Sequence, residues 1–161
     1  MSIINSSGAL ALSTRLQRLA EQLRKDGAVF YKSYGINFEP KWFPVILTLS
    51  HRPLISVIEL AVEIGYTHPS TISLLKELEK EKLIRSKKDK NDERKRLLEL
   101  TQKGKQLVDT MQPIWRLMQH ALNEIASNHD NLLKAISQAE EALKKQSFLQ
   151  RTMALKVIKV V

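Results

Sequence analysis

The stretch SVIELAVEIGYTHPSTISLLKELEKEKLI, residues 56–84, constrains the fold more than any other part of the chain. Ser56 and Glu59 stand three apart before an apolar run, the spacing of a capping box in which each side chain satisfies the other's free backbone N–H. Val57, Leu60, Ala61 and Ile64 then share one helical face. Gly65 follows where a helix stops in the left-handed conformation. Pro69 suits the first turn of a second helix, whose buried stripe is Thr71, Leu74, Leu75 and Leu78. Two short helices joined by a tight glycine-containing turn read as a helix-turn-helix.

The next segment of the chain is as specific. LIRSKK and KRLLELT are strand patterns around the polar DKNDER, and Leu98 and Leu100 alternate with Glu99, which predicts a hairpin with one face inward. PLIS, residues 53–56, supplies a third short strand. A charged hairpin directly after a helix-turn-helix makes a winged helix.

The flanks are helical. Leu12, Leu16, Leu19, Leu23 and Phe30 form a stripe on a helix from about Gly8 to Tyr34. A shorter helix follows Pro40, carrying Trp42, Phe43, Val45, Ile46 and Leu49. Thr101 is placed to cap a long helix to about Ser127, with Leu107, Met111, Ile114, Trp115, Met118, Leu122 and Ile125 on its face and a kink expected at Pro113. A last helix from near Asp130 is expected to turn Leu132, Leu133, Ile136, Ala139 and Leu143 inward. Residues 150–161 have no assigned role. The fold class is therefore mainly α with a small β-hairpin (α+β), a winged helix-turn-helix between long terminal helices.

Charge points to the partner. The chain carries a formal +9, and Lys80–Arg96 holds nine Lys or Arg against four acidic residues, an excess of five in one segment. So concentrated a block suits a polyanion, or else a solvated charged hairpin. No apolar run approaches the roughly 20 residues of a membrane span. The first residues lack the basic start of a secretory signal. Cysteine is absent, which rules out disulfides. A cytoplasmic location is expected.

With these residues in view, the chain resembles the MarR-type transcription regulators. The resemblance is carried by ELAVEIGYTHPSTISLLKELEKEKLI and DKNDERKRLLELTQKG, the second matching the family's wing signature at Asp89, Asp92, Arg94, Leu98, Leu100, Thr101 and Gly104. Two positions depart from the family pattern: Lys90 stands where a proline is frequent, and Lys82 where a glycine is. The resemblance implies residues 1–35 as an N-terminal dimerisation helix, 36–101 as the DNA-binding lobe and 102–161 as C-terminal dimerisation helices and tail. It implies a homodimer on double-stranded DNA, acting as a repressor at a pseudo-palindromic operator. Pro69, Ser70, Ile72, Ser73 and Lys76 would face the major groove, Ile72 against a thymine methyl or as an ordinary surface residue. At the wing, Arg94 would enter the minor groove, oriented by Asp92, or form an exposed ion pair. Lys87, Lys88, Lys90, Lys95 and Arg96 would neutralise phosphates. A small aromatic or phenolic effector is implied near Tyr31, Tyr34, Phe38 and Trp42, which from the residues alone read first as hydrophobic core between the first two helices.

Other classes fit less well. No phosphate-binding glycine loop or nucleophile constellation appears, and His51, His68, His120 and His129 are scattered, so neither catalysis, cofactor nor metal is expected. The alternative kept open is a winged-helix RNA-binding or protein-interaction module without operator specificity. RNA would call for stacking aromatics, and the second helix and wing contain none.

Overall fold

The computed structural model describes residues 2–89, 92, 95–127 and 130–158. In chain order they form α1 (Ile3–Ser6), a 3-10 turn (Gly8–Ala11), α2 (Leu12–Ser33), a second 3-10 turn (Pro40–Trp42), α3 (Phe43–His51), β1 (Ile55–Ser56), α4 (Val57–Ile64) and α5 (His68–Lys80). The hairpin β2 (Ile84–Lys88) and β3 (Arg96–Leu100) comes next, then α6 (Gln102–Ala126), α7 (Leu132–Lys145) and α8 (Phe148–Ile158). Two compact units divide within α6, one ending at Ile114 and the other beginning at Trp115.

The helix-turn-helix forms as its local signals dictate. Ser56 Oγ accepts from Glu59 N at 3.2 Å, while Ser56 N donates to Glu59 Oε2 at 3.0 Å, so both halves of the capping box are made. Gly65 ends α4 at φ 69°, a conformation that any Cβ disfavours. Thr67 caps α5 by accepting from Ser70 N, and Thr71, Leu74, Leu75 and Leu78 are its buried face.

The sheet runs in the order β1-β3-β2, all antiparallel. Ile84 lies opposite Leu100 and Ser86 opposite Leu98, so the inner face of the hairpin reads Ile84, Leu98, Leu100. These meet Val45, Ile46 and Leu49 of α3, Leu60 of α4, Leu78 of α5 and Met111 of α6 in one buried core.

The junction between α5 and β2 is the tightest place in this unit. Lys82, where a glycine would be unstrained, adopts φ 59°. Thr101 holds the turn from the other side: its N–H donates to Leu83 O at 3.0 Å and its hydroxyl to Lys82 O at 2.6 Å. The same hydroxyl accepts from Gly104 N at 3.0 Å, capping α6 as the sequence predicts. Gly104 packs so closely that a Cβ there would collide with the Leu83 carbonyl.

The last helix differs from expectation in what covers it: Leu133, Ile136 and Leu143 of α7 are exposed rather than inward. Leu12, Leu16 and Leu19 of α2 are 59%, 45% and 39% exposed. Periodicity identifies an apolar face but not the surface that covers it. Pro113 lies inside α6 without interrupting the helix. The apolar tail is helical as α8: Ser147 Oγ accepts from Gln150 N, and the Arg151 guanidinium reaches the carbonyls of Ala142 and Gln146 at 2.9 and 3.1 Å.

Gly104→Ala is expected to destabilise the protein by about 1–3 kcal/mol, because the new methyl meets backbone that cannot rotate away. Urea denaturation checks this; an unchanged midpoint would contradict the close packing at Leu83.

Candidate nucleic-acid interface

The buried stripe of α5 decides what its opposite side presents. Pro69, Ser70, Ser73 and Lys76 are exposed, and Ile72 is half-buried. Ser70 Oγ accepts a hydrogen bond from Thr67 Oγ1 at 2.9 Å, which leaves its own proton for an outside acceptor. Glu77 is half-buried and held aside: its Oε2 accepts from Lys41 Nζ at 2.6 Å and from the Trp42 indole at 3.3 Å. Lys41 and then Trp42 hold its carboxyl below the ordinary range. The outward face of α5 thus offers hydroxyls in its N-terminal half and a cation, Lys76, in the turn that follows.

The wing has two differently charged faces. On the outer face Glu99 lies opposite Arg85 and accepts from Arg85 Nε at 2.6 Å and Lys87 Nζ at 2.8 Å. Those two cations, Lys87 first, keep the Glu99 carboxyl below its ordinary value of 4.5. On the inner face Arg96 lies opposite Lys88, and its Nη2 reaches Ser86 Oγ at 2.7 Å and Glu79 Oε1 of α5 at 3.1 Å. Towards the tip, Asp89 N donates to Lys95 O and Lys95 N to Asp92 O. Lys87, Lys88 and Lys95 are exposed and Asp92 is half-buried. Lys90 and Arg94 lie outside the described residues, so the pairing expected between Asp92 and Arg94 is not described.

The four aromatic residues near the α2–α3 junction separate. Tyr31, Phe38 and Trp42 are buried in a chain of edge-to-face contacts, with centroids 5.1 and 5.8 Å apart. Tyr34 stands half exposed against Phe30. Of the four, Trp42 lines a shallow cleft of about 280 Å³, together with Ile36, Asn37, Glu81, Leu83 and Lys103 among others. Lys103 Nζ donates there to the Glu81 carbonyl at 2.7 Å. Among the described residues no cluster of His, Asp and Glu is arranged to hold a metal ion, and no helix is long and apolar enough to cross a membrane.

Sequence reasoning missed the bonds that join these parts. The Arg85–Glu99 pair was within reach, since opposite charges directly across strands follow from the hairpin register. Arg96 was too: with Leu98 and Leu100 inward, a period of two puts residue 96 inward as well. Glu77 with Trp42 depends on a tertiary contact 35 residues apart and leaves no local signal.

Residues 34–95 match the MarR family model. Among curated proteins no relative matches. Among solved structures, the chain is similar to the transcriptional repressor CouR bound to a 23-mer DNA duplex, with 24% identity and a TM-score of 0.70 over 83% of this chain and 96% of that one. It is similar to the M. tuberculosis transcriptional regulator MOSR in complex with DNA, at 21% identity and a TM-score of 0.70 over 83% and 96% of the two chains. NadR in complex with 4-hydroxyphenylacetate aligns with 24% identity and a TM-score of 0.62, covering 85% of this chain and 96% of that one. At these identities the likeness is one of fold.

The depressed Glu99 carboxyl gives a signed pH effect. Its contribution to stability is complete above the unfolded value near 4.5 and is lost as pH falls through the lower folded value. The gap in denaturation midpoint between the native protein and Glu99→Gln should therefore be widest at neutral pH and close below pH 4.5. A gap that persists unchanged in acid would contradict the assignment.

Proposed function

We propose, on the premise that residues 34–95 match the MarR family model, that this chain is a DNA-binding transcription regulator of that type. It binds a pseudo-palindromic operator as a homodimer and acts as a repressor. The observation that carries this reading is the joining of two unlike surfaces in one unit: the exposed hydroxyls and lysine of α5, and a basic hairpin fixed beside it. Solved structures of like fold include one described as a repressor bound to a DNA duplex and one regulator in complex with DNA.

In this reading α5 enters the major groove. Ser73 reads a base edge, and Ser70 offers its free proton to a base or phosphate. Ile72 gives an apolar contact to a thymine methyl, while Lys76 meets phosphate. Pro69 starts the helix close to the backbone. The wing lies over the adjacent minor groove, with Arg94 inserted, Asp92 orienting it, and Lys87, Lys88, Lys90 and Lys95 against phosphate. The face of α5 carries no Arg, Asn or Gln for bidentate readout, so much of the specificity comes from groove shape.

Residues 1–35 and 102–161 form the dimer in this reading, and 36–101 the DNA-binding lobe. The exposed leucines of α2 and α7 are more apolar surface than a solitary soluble helix usually leaves open. A twofold pair presents two copies of α5 about one DNA turn apart, which one small lobe cannot do. A small phenolic effector, of the kind bound by NadR, would take the cleft beside Trp42 and alter that spacing. The alternative, an RNA-binding or protein-docking winged helix, lacks the stacking aromatics that RNA recognition uses.

Salt titration of duplex binding tests the reading. Affinity should fall with a log–log slope near −0.9 for each phosphate contacted, and Lys76→Ala should flatten that slope by about 0.9. Ser73→Ala should leave the slope alone and change sequence preference. A native protein with equal affinity for every duplex at low salt would overturn the proposal.

A further inference from the structure

Arg96 belongs to the basic wing by sequence, and its exposed side chain turns back along the hairpin towards α5. Leu100, Leu98 and Arg96 occupy successive inner positions of β3, and the first two are buried at 8% and 0% exposure. Arg96 is the next inner residue after the core ends. Its guanidinium joins three elements: it is carried by β3, bonds Ser86 of β2 at 2.7 Å, and bonds Glu79 in the last turn of α5 at 3.1 Å.

Position makes this bond matter more than an ordinary surface ion pair. Among the described residues beyond the Ser86–Leu98 pair none is buried: Lys87, Lys88, Lys95 and Arg96 are exposed, and Leu97, Asp89 and Asp92 half-buried. From Leu98 to Lys95 the chain reaches about 10 Å, so a swing of about 20° at its base would move Lys95 by about 3 Å. That is the width of a hydrogen bond. A guanidinium anchored on the helix at the hairpin's last unsupported turn restrains such a swing, and its planar fork suits it to hold two acceptors in fixed directions.

We infer that Arg96 is a positioning residue rather than a phosphate ligand, and that with Glu79 it fixes the angle between the DNA-reading helix and the wing. The inference deepens the proposed function and depends on it. Glu79 then favours DNA binding although its charge opposes a polyanion, and the pair works as a unit.

The test is a double-mutant cycle read by duplex affinity and its salt dependence. Glu79→Ala removes a negative charge beside DNA, which through electrostatics alone would tighten binding. The positioning role predicts the reverse: Glu79→Ala, Arg96→Ala and the double variant each bind roughly fivefold more weakly, without addition, the size expected of one exposed ion pair. It also predicts an unchanged salt slope for Arg96→Ala, whereas loss of a phosphate contact flattens it by about 0.9. Amide hydrogen exchange on the free variants, with thermal midpoints as the check on folding, reads the strap without DNA: β2 and β3 amides near Lys88 and Arg96 should exchange faster while α5 does not change.

Tighter binding by Glu79→Ala, a flatter slope for Arg96→Ala, or unaltered exchange would overturn the strap while leaving the regulator reading intact. A native protein that binds no duplex would overturn the regulator reading and the positioning role with it, and exchange would still show whether Glu79 restrains the wing.

Discussion

The structure depends on how the chain reverses between α5 and β2. Within Glu81–Leu83 it must end a helix, turn, and enter a sheet, and Lys82 takes the left-handed conformation to do so. Thr101 stabilises that turn from a distant part of the sequence, through bonds to the carbonyls of Lys82 and Leu83. Gly104 lets α6 approach near enough for those bonds to form. A helix end with orphan carbonyls needs such partners, and here the start of α6 supplies them. The consequence is mechanical: α5, the sheet and the first turn of α6 share one junction, so the helix and the wing keep a common orientation.

Around that junction the charges are sorted rather than merely abundant. Glu99 gathers Arg85 and Lys87 on the outer face of the hairpin, and Glu79 takes Arg96 on the inner one. Glu77 is drawn towards Lys41 and the Trp42 indole, away from the outward face of α5. Acidic residues thus anchor cations in the framework, while Lys76, Lys88 and Lys95 stay exposed. Within a block that looks uniformly basic in sequence, Arg85, Lys87 and Arg96 bond carboxylates of the framework while remaining exposed themselves.

Local signals made much of this legible. Ser56 with Glu59, Gly65, Pro69 and the Thr71–Leu78 stripe each act within a few residues, and each appears where its spacing predicts. The hairpin came from alternation at Leu98 and Leu100. The strain at Lys82 could be anticipated from a missing glycine. What escaped was set by distance in sequence: the bond of Glu77 to Trp42, the reach of Arg96 to Glu79, and the exposure of the face expected inward on α7. Amphipathic period reports that a face is apolar. It does not report which molecule buries it.

In the proposed function a serine-bearing helix and a cationic hairpin, held as one body and doubled by twofold pairing, read a specific duplex. Selection of bound duplexes from a random pool tests this most directly. The account predicts recovered sequences with two inverted half-sites whose centres lie about 10 base pairs apart, one helical turn. Recovery without sequence preference, or of a lone half-site with no inverted partner, would contradict it.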